Sequence, residues 1–164
     1  MWLGFGRVKP HHGIALLAPL ADPGQLHWWT VEPRAYQPSD HAACLAIFDS
    51  NNPAAGRAEF EQFLDSQPAN YTVLEHEGAI LGCGGYGTGT DGAATLHHGM
   101  IRRDSQRQGL GRFLLLYRLR QISRSNVSFV RLCAPPETAP FYLKQGFKPA
   151  GAAGSFVMKL TVCP

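Results

Sequence analysis

Between Ala93 and Leu132 the chain changes its hydrophobic period twice, and this stretch constrains the fold more than any other. Ala93–Ile101 reads as a strand, and a polar loop follows that closes on Gly109 and Gly111. Leu110, Phe113, Leu114 and Tyr117 then fall on one helical face, widened by Leu115, Leu116 and Leu119. Arg112, Arg118, Gln121 and Arg124 are expected on the opposite, solvated face. Val127–Leu132 is again strand-like and follows without a hairpin turn. Strand, helix and strand in that order require a parallel crossover.

Shorter elements surround this unit. Trp28–Arg34 has the composition of a first strand, and Ser39 or Asp40 is placed to cap a helix. In that helix Ala43 and Ile47, and Cys44 and Phe48, recur at spacings of four until Pro53 stops it. A second helix from about Ala55 presents Phe60, Phe63 and Leu64. Tyr71–His76 and Ala79–Cys83 form a hairpin about Glu77-Gly78, and a glycine-rich turn spans Gly87–Gly92. A short helix at Thr138–Gln145 stops at Gly146, before strands at Lys148–Ala150 and Ser155–Leu160. The pattern is a mixed α/β domain over residues 27–164. Residues 1–26 read as a loosely ordered extension: Arg7 and Lys9 precede an apolar run, but Pro19 interrupts it and no clean cleavage site follows. His11 and His12 are then surface residues.

Composition narrows the function classes. With 45% hydrophobic and 16% charged residues the chain is neither disordered nor a membrane span. A net charge of +3 suits an anionic small ligand and falls short of a nucleic-acid-binding footprint. Cys44, Cys83, Cys133 and Cys163 form no CxxC pair, so no zinc site is expected. Three of the four sit in apolar segments, where buried free thiols are the ordinary reading, and a reducing, cytoplasmic setting is the default.

The loop Met100–Arg112 carries the chemistry. A helix N-terminus offers unpaired amides and the positive end of the macrodipole, and glycines there admit a phosphate close to the backbone. Arg102, Arg103, Arg107 and Arg112 add positive charge against Asp104 alone. Two further G-x-G-x-x-G matches, at Gly82–Gly87 and Gly87–Gly92, open no helix and fail as dinucleotide sites.

Gln106-Arg107-Gln108-Gly109-Leu110-Gly111 satisfies [QR]-x-x-G-x-[GA], and Tyr142-Leu143-Lys144-Gln145-Gly146-Phe147 satisfies Y-x-K-x-G-F. On these two motifs, from about Trp28 to Leu160, the chain resembles the GCN5-related N-acetyltransferase (GNAT) superfamily. The resemblance implies a mostly antiparallel sheet of six or seven strands with helices on both faces and splayed middle strands. It implies acetyl-CoA as co-substrate without a metal, its pyrophosphate on Gln106, Arg107, Gln108, Gly109, Leu110, Gly111 and Arg112. The pantetheine arm would lie along Met100, Ile101 and Arg102. Pro135 and Thr138 stand where the family often has Asn and Ala, so the loop before the last helix departs from the pattern.

The same resemblance implies catalytic roles. Tyr142 matches the tyrosine near the sulfur, where a phenol of ordinary pKa about 10 can protonate a thiolate. His97 matches a histidine position of arylalkylamine acetyltransferases, and Thr95 the glutamate position of histone acetyltransferases. His97 is thus either the base or a sheet residue under a helix. His98, its neighbour, is expected on the opposite face. A strand bulge near Ile101 would present an amide to the thioester carbonyl. Arg57 stands either against an acceptor carboxylate or in solvent. The expected reaction moves acetyl to a primary amine of a small molecule or amino acid, in a monomer or homodimer. A silent CoA-binding module and an aminoacyl-tRNA-acetylating toxin are the alternatives, the latter calling for a basic patch that +3 does not supply.

Overall fold

The computed structural model describes residues 30–160, apart from Asn52 and Ala54. The expected extension 1–26, with His11 and His12, lies outside them, as do Trp28, Trp29 and Cys163. The elements are β1 (Glu32–Ala35), α1 (His41–Ser50), α2 (Arg57–Asp65), β2 (Tyr71–His76), β3 (Ala79–Thr88) and β4 (Ala93–Ile101). They continue as α3 (Leu110–Ile122), β5 (Phe129–Cys133), α4 (Ala139–Lys144), β6 (Lys148–Pro149) and β7 (Ser155–Lys159). Seven strands form one sheet in the order β1-β2-β3-β4-β5-β7-β6. The crossover through α3 makes β4 and β5 its parallel pair, and the other pairs are antiparallel.

Helices cover both faces, as their apolar stripes require. Cys44, Ile47 and Phe48 of α1 and Phe60 and Leu64 of α2 pack on Tyr71, Val73 and Cys83. On the other face Leu115, Leu119 and Ile122 of α3 meet Tyr86, Ala94, Leu96 and Val130, with Phe141 and Tyr142 of α4 alongside. Burying such side chains stabilises a fold by about 1.5–3 kcal/mol each.

Three expectations need correction here. Asp40 does not cap α1 with its side chain; it closes a 3-10 turn, Pro38–Asp40, ahead of that helix. Its carboxylate accepts the Gln37 amide at 2.9 Å and both ends of the Arg34 guanidinium at 2.7 and 2.8 Å. Cys44 and Cys83 are buried, but Cys133 is exposed. Arg118 is not on the solvated face of α3: it is 3% exposed and lies within the core. Leu114, Arg118 and Ile122 share one helical face, so the side chain has nowhere to go but inward.

Candidate active site

The middle of the sheet parts where a ligand is expected. β4 pairs with β5 through Ala93–Phe129, Ala94–Val130 and Thr95–Arg131. Beyond Thr95, β4 keeps β3 on one side and presents Leu96–Ile101 as an open edge on the other. The Arg102 amide donates to the Leu81 carbonyl at 2.8 Å. By the alternation of an antiparallel ladder, Ile101 therefore directs its own amide and carbonyl away from β3. Asn51 and Gln106 side chains donate to that carbonyl at 3.0 and 3.1 Å.

This open edge runs into the glycine loop. Gln106 also donates to the Asn51 side-chain oxygen at 2.6 Å, and the Arg103 amide donates to Ser50 Oγ at 3.2 Å. The loop is thereby latched to the end of α1, and Gln106 acts as a structural tie. Arg107 (φ +63°) and Gly109 (φ +86°) take left-handed conformations that turn the chain into α3. Gly109 occupies the N-cap, so the first-turn amides at Leu110, Gly111 and Arg112 have no carbonyl one turn back. A Cβ at Gly111 would meet its nearest protein atoms only at 3.9 Å, which is ordinary contact. Nothing within the protein crowds that position, and a small residue there leaves the first turn of α3 open to a ligand. Gln108, just before this turn in the chain, has its side-chain Oε1 buried without a hydrogen-bond partner. An anion at the helix start and an extended arm along the β4 edge therefore fit the residues present.

The remaining segment residues divide by environment. Leu110, 1% exposed, is core, and Ile101 packs with it and Leu114. Met100 turns to the α1 face. Arg102 pairs with Asp104 at 2.6 Å, and Arg112 donates to Gln145 at 3.2 Å. Arg107 is exposed.

β4 does carry a bulge, but at His98-Gly99 rather than near Ile101. His97 pairs with Gly85 and Met100 with Cys83, so two residues of β4 stand against one of β3. His98 adopts φ +47°. The extra residue rotates His98 to the same face as His97, contrary to simple alternation. Both rings pack on Phe63, with centroids at 5.1 and 4.6 Å, and lie 5.6 Å from each other. His97 also stacks on Tyr71 at 6.4 Å. Burial, then the nearby His98 and Arg118, hold the His97 pKa down to about 4. Burial also lowers His98. His97 Nδ1 is buried without a partner.

Tyr142 stands on the opposite face, edge-on to Phe141 and Phe147 at 5.0 and 5.8 Å. Arg118 donates to the Leu114 carbonyl at 3.4 Å and the Gly85 carbonyl at 3.3 Å, and its charge acts on His97. Thr95 is engaged elsewhere: its hydroxyl accepts Arg131 Nε at 3.0 Å. Arg57 is held by Asp49 at 2.9 Å and Glu61 at 3.1 Å.

Comparison with known proteins agrees with this fold. The family model described as "Acetyltransferase (GNAT) domain" matches residues 42–157. The chain belongs to the GNAT acetyltransferase family. No curated protein matches its sequence. Among solved structures it is similar to N-acetylglutamate synthase from Neisseria gonorrhoeae, complexed with coenzyme A and L-arginine. That match has 17% identity and a TM-score of 0.67, covering 80% of this chain and 33% of the other. Ard1 from Thermoplasma volcanium matches at 18% identity and TM-score 0.68, over 82% of this chain and 99% of that one. The ribosomal-protein-S18-alanine N-acetyltransferase from Escherichia coli gives 21% and 0.64, over 79% and 92%. The chain thus spans about a third of the synthase but nearly all of the two smaller enzymes. At such identities the likeness speaks for the GNAT fold.

Within this GNAT domain, no group of three His, Cys, Asp or Glu could hold a metal among the described residues. Nor, among them, is any helix long and apolar enough to cross a membrane. Sequence reasoning missed Asn51, Tyr71 and Arg118. Only Arg118 left a signal, as a charge at the centre of an apolar stripe.

Proposed function

We propose that this GNAT chain transfers the acetyl group of acetyl-CoA to a primary amine of a small molecule or amino acid, by direct attack in a ternary complex. The observation that carries the reading is the open edge of β4 running into an α3 start whose Gly111 has room for a side chain that is not there. Neighbouring structures complexed with coenzyme A support the co-substrate, and one of them also holds N-acetyl-glutamate.

In this reading the first-turn amides of α3 bind the pyrophosphate and the Ile101 amide meets the pantetheine arm or the thioester carbonyl. The amine approaches from the His97 face. Nitrogen attacks the carbonyl carbon while its proton passes to His97 or to water. The carbon–sulfur bond then breaks, the electron pair stays on sulfur, and Tyr142 supplies the proton.

Calorimetric titration with acetyl-CoA tests the reading, with Gly111→Glu as control because its backbone is free of left-handed strain. Micromolar binding by the wild type, lost in the folded control, supports it. Absence of binding by folded wild type overturns it. Binding without thiol release against a broad panel of amines overturns the transferase and leaves a CoA-binding module.

A further inference from the structure

The residues of β5 alternate between the two faces of the sheet. Val130 and Leu132 turn toward α3 and are buried with Leu115 and Leu119. Phe129, Arg131 and Cys133 alternate with them and are exposed, so they look out from the other face. That is the face on which His97 packs against Phe63 and Tyr71.

Arg131 has a defined seat there. Thr95 and Arg131 are the last pair of the β4–β5 ladder before the strands part. The guanidinium lies over that pair, its Nε donating to Thr95 Oγ1 at 3.0 Å and its Nη1 to Asp91 Oδ2 at 2.8 Å. Asp91 is held in turn, its Oδ1 accepting the Ala93 amide at 3.3 Å. The two bonds use two of the five N–H groups of the guanidinium, and neither involves Nη2. Arg131 and Asp91 are both half exposed, and a pair so solvated contributes little to stability.

His97 stands two residues further along β4 on the same face, about 7 Å from Thr95. The floor beside them is bare. Gly87 pairs with Thr95 and Gly85 with His97, and a Cβ on Gly87 would meet only His97 Nε2, at 3.9 Å. Positive charge collects on the other side of Arg131. Lys159 lies opposite Phe129, and Lys148 lies opposite Val157, which faces Arg131. Both lysines therefore share the face of Arg131, and both are exposed.

We propose that Arg131 recognises the acceptor, binding a carboxylate of the amine substrate while the amino group reaches His97 across the bare floor. The acceptor is then an amino acid or a similar aminocarboxylate, not a plain alkylamine or a polyamine. The inference rests on the acetyl-CoA transferase reading above. A guanidinium suits the task because its planar fork stays charged and matches a carboxylate. An α-amino acid has its nitrogen about 2.5 Å from its carboxyl carbon. With a hydrogen bond of about 2.9 Å at either end, it is of a length to bridge the two residues. A polyamine would instead meet like charge on this face. Arg57 is paired with two carboxylates, Asp49 and Glu61, and has less charge to offer.

Thiol release from saturating acetyl-CoA tests this, with each common L-amino acid measured beside its α-carboxamide and its decarboxylated amine. Wild type should prefer its best acid over the matched amide by at least about tenfold in kcat/KM. In Arg131→Met that preference falls to near one, chiefly through a higher KM for the acid. Arg131→Lys keeps part of it, and Arg131→Glu inverts it toward the decarboxylated amine. Asp91→Asn leaves the guanidinium in place without its paired charge and lowers KM for the acid. This arm decides the matter if Arg131→Met does not fold, an unchanged or higher KM counting against the assignment. Equal use of acid and amide by wild type, or an equal fall of both in Arg131→Met, overturns the assignment. Arg131 is then a tie between β5 and the β3–β4 turn, and the transferase reading stands. Turnover of peptide N-termini or other amines, but of no free amino acid, has the same meaning. Absence of thiol release with any amine overturns the transferase reading and this assignment with it.

Discussion

The Tyr71 hydroxyl donates to the His98 carbonyl at 3.1 Å, reaching from β2 past β3 to the bulge of β4. Tyr71 is 2% exposed, and burial raises its pKa, so it stays protonated and able to donate. A bulge leaves one residue outside the ladder, and this bond satisfies the carbonyl so stranded. Tyr71→Phe should therefore lower stability by about 1 kcal/mol, measured by urea unfolding. Turnover with acetyl-CoA should fall more than acetyl-CoA affinity, because the bond holds His97 and His98 rather than the α3 amides. Equal losses in both would show that the bulge does not govern the acceptor side.

Most of the scaffold was legible because periodicity and turn chemistry agree along the chain. The Ala93–Leu132 unit demanded a parallel crossover, and β4, α3 and β5 form one. The motif at Gln106–Gly111 likewise falls where strand gives way to helix. What the sequence did not show has separate causes, the first being that local alternation cannot see across a sheet. His98 was assigned to the wrong face because a bulge is decided by register against β3, where Gly84 leaves space for it. Arg118 was assigned to solvent because residue type outweighed its place between Leu114 and Ile122. Gln106 has a role the motif does not spell out, its side-chain amide donating to Asn51 and Ile101, partners set by how α1 ends.

The two motif glycines should respond differently. Gly109 is held at φ +86°, where alanine is strained, whereas Gly111 has ordinary backbone and an empty Cβ position. Gly109→Ala should cost about 1 kcal/mol or more of stability, seen as a lower melting temperature. Gly111→Glu should melt close to wild type and yet lose acetyl-CoA binding, because bulk and negative charge would stand against the pyrophosphate. Equal affinities for wild type and Gly111→Glu would place the phosphates elsewhere.

Asp40 should contribute to stability with a definite pH sign. The Arg34 guanidinium, and then the Gln37 amide, hold its carboxyl below the ordinary carboxylate value against the effect of burial. A carboxylate depressed on folding stabilises above its unfolded pKa, and that contribution disappears as pH falls through the folded value. Asp40→Asn should cost about 2 kcal/mol at neutral pH and little in strong acid. Urea unfolding of both proteins across that range measures the convergence; curves that stay parallel would mean the bond to Arg34 carries no net charge effect.

His97 should titrate in two experiments at once. Its folded pKa of about 4 lies below the unfolded value of about 6.5, so the unfolded chain binds the extra proton first. Its contribution to stability is whole above pH 6.5 and is lost as pH falls toward 4. His98, lowered in the same direction, adds to that slope. His97→Gln should flatten the fall in melting temperature across this window without removing it. If His97 is the base, it is already neutral throughout the physiological range, and the acid limb of kcat/KM should lie near 4 rather than near 6.5. In His97→Gln that limb should vanish together with most of the rate. A limb near 4 that persists in the variant would assign proton removal to water, with the buried, unpartnered Nδ1 of His97 then serving only to shape the acceptor face.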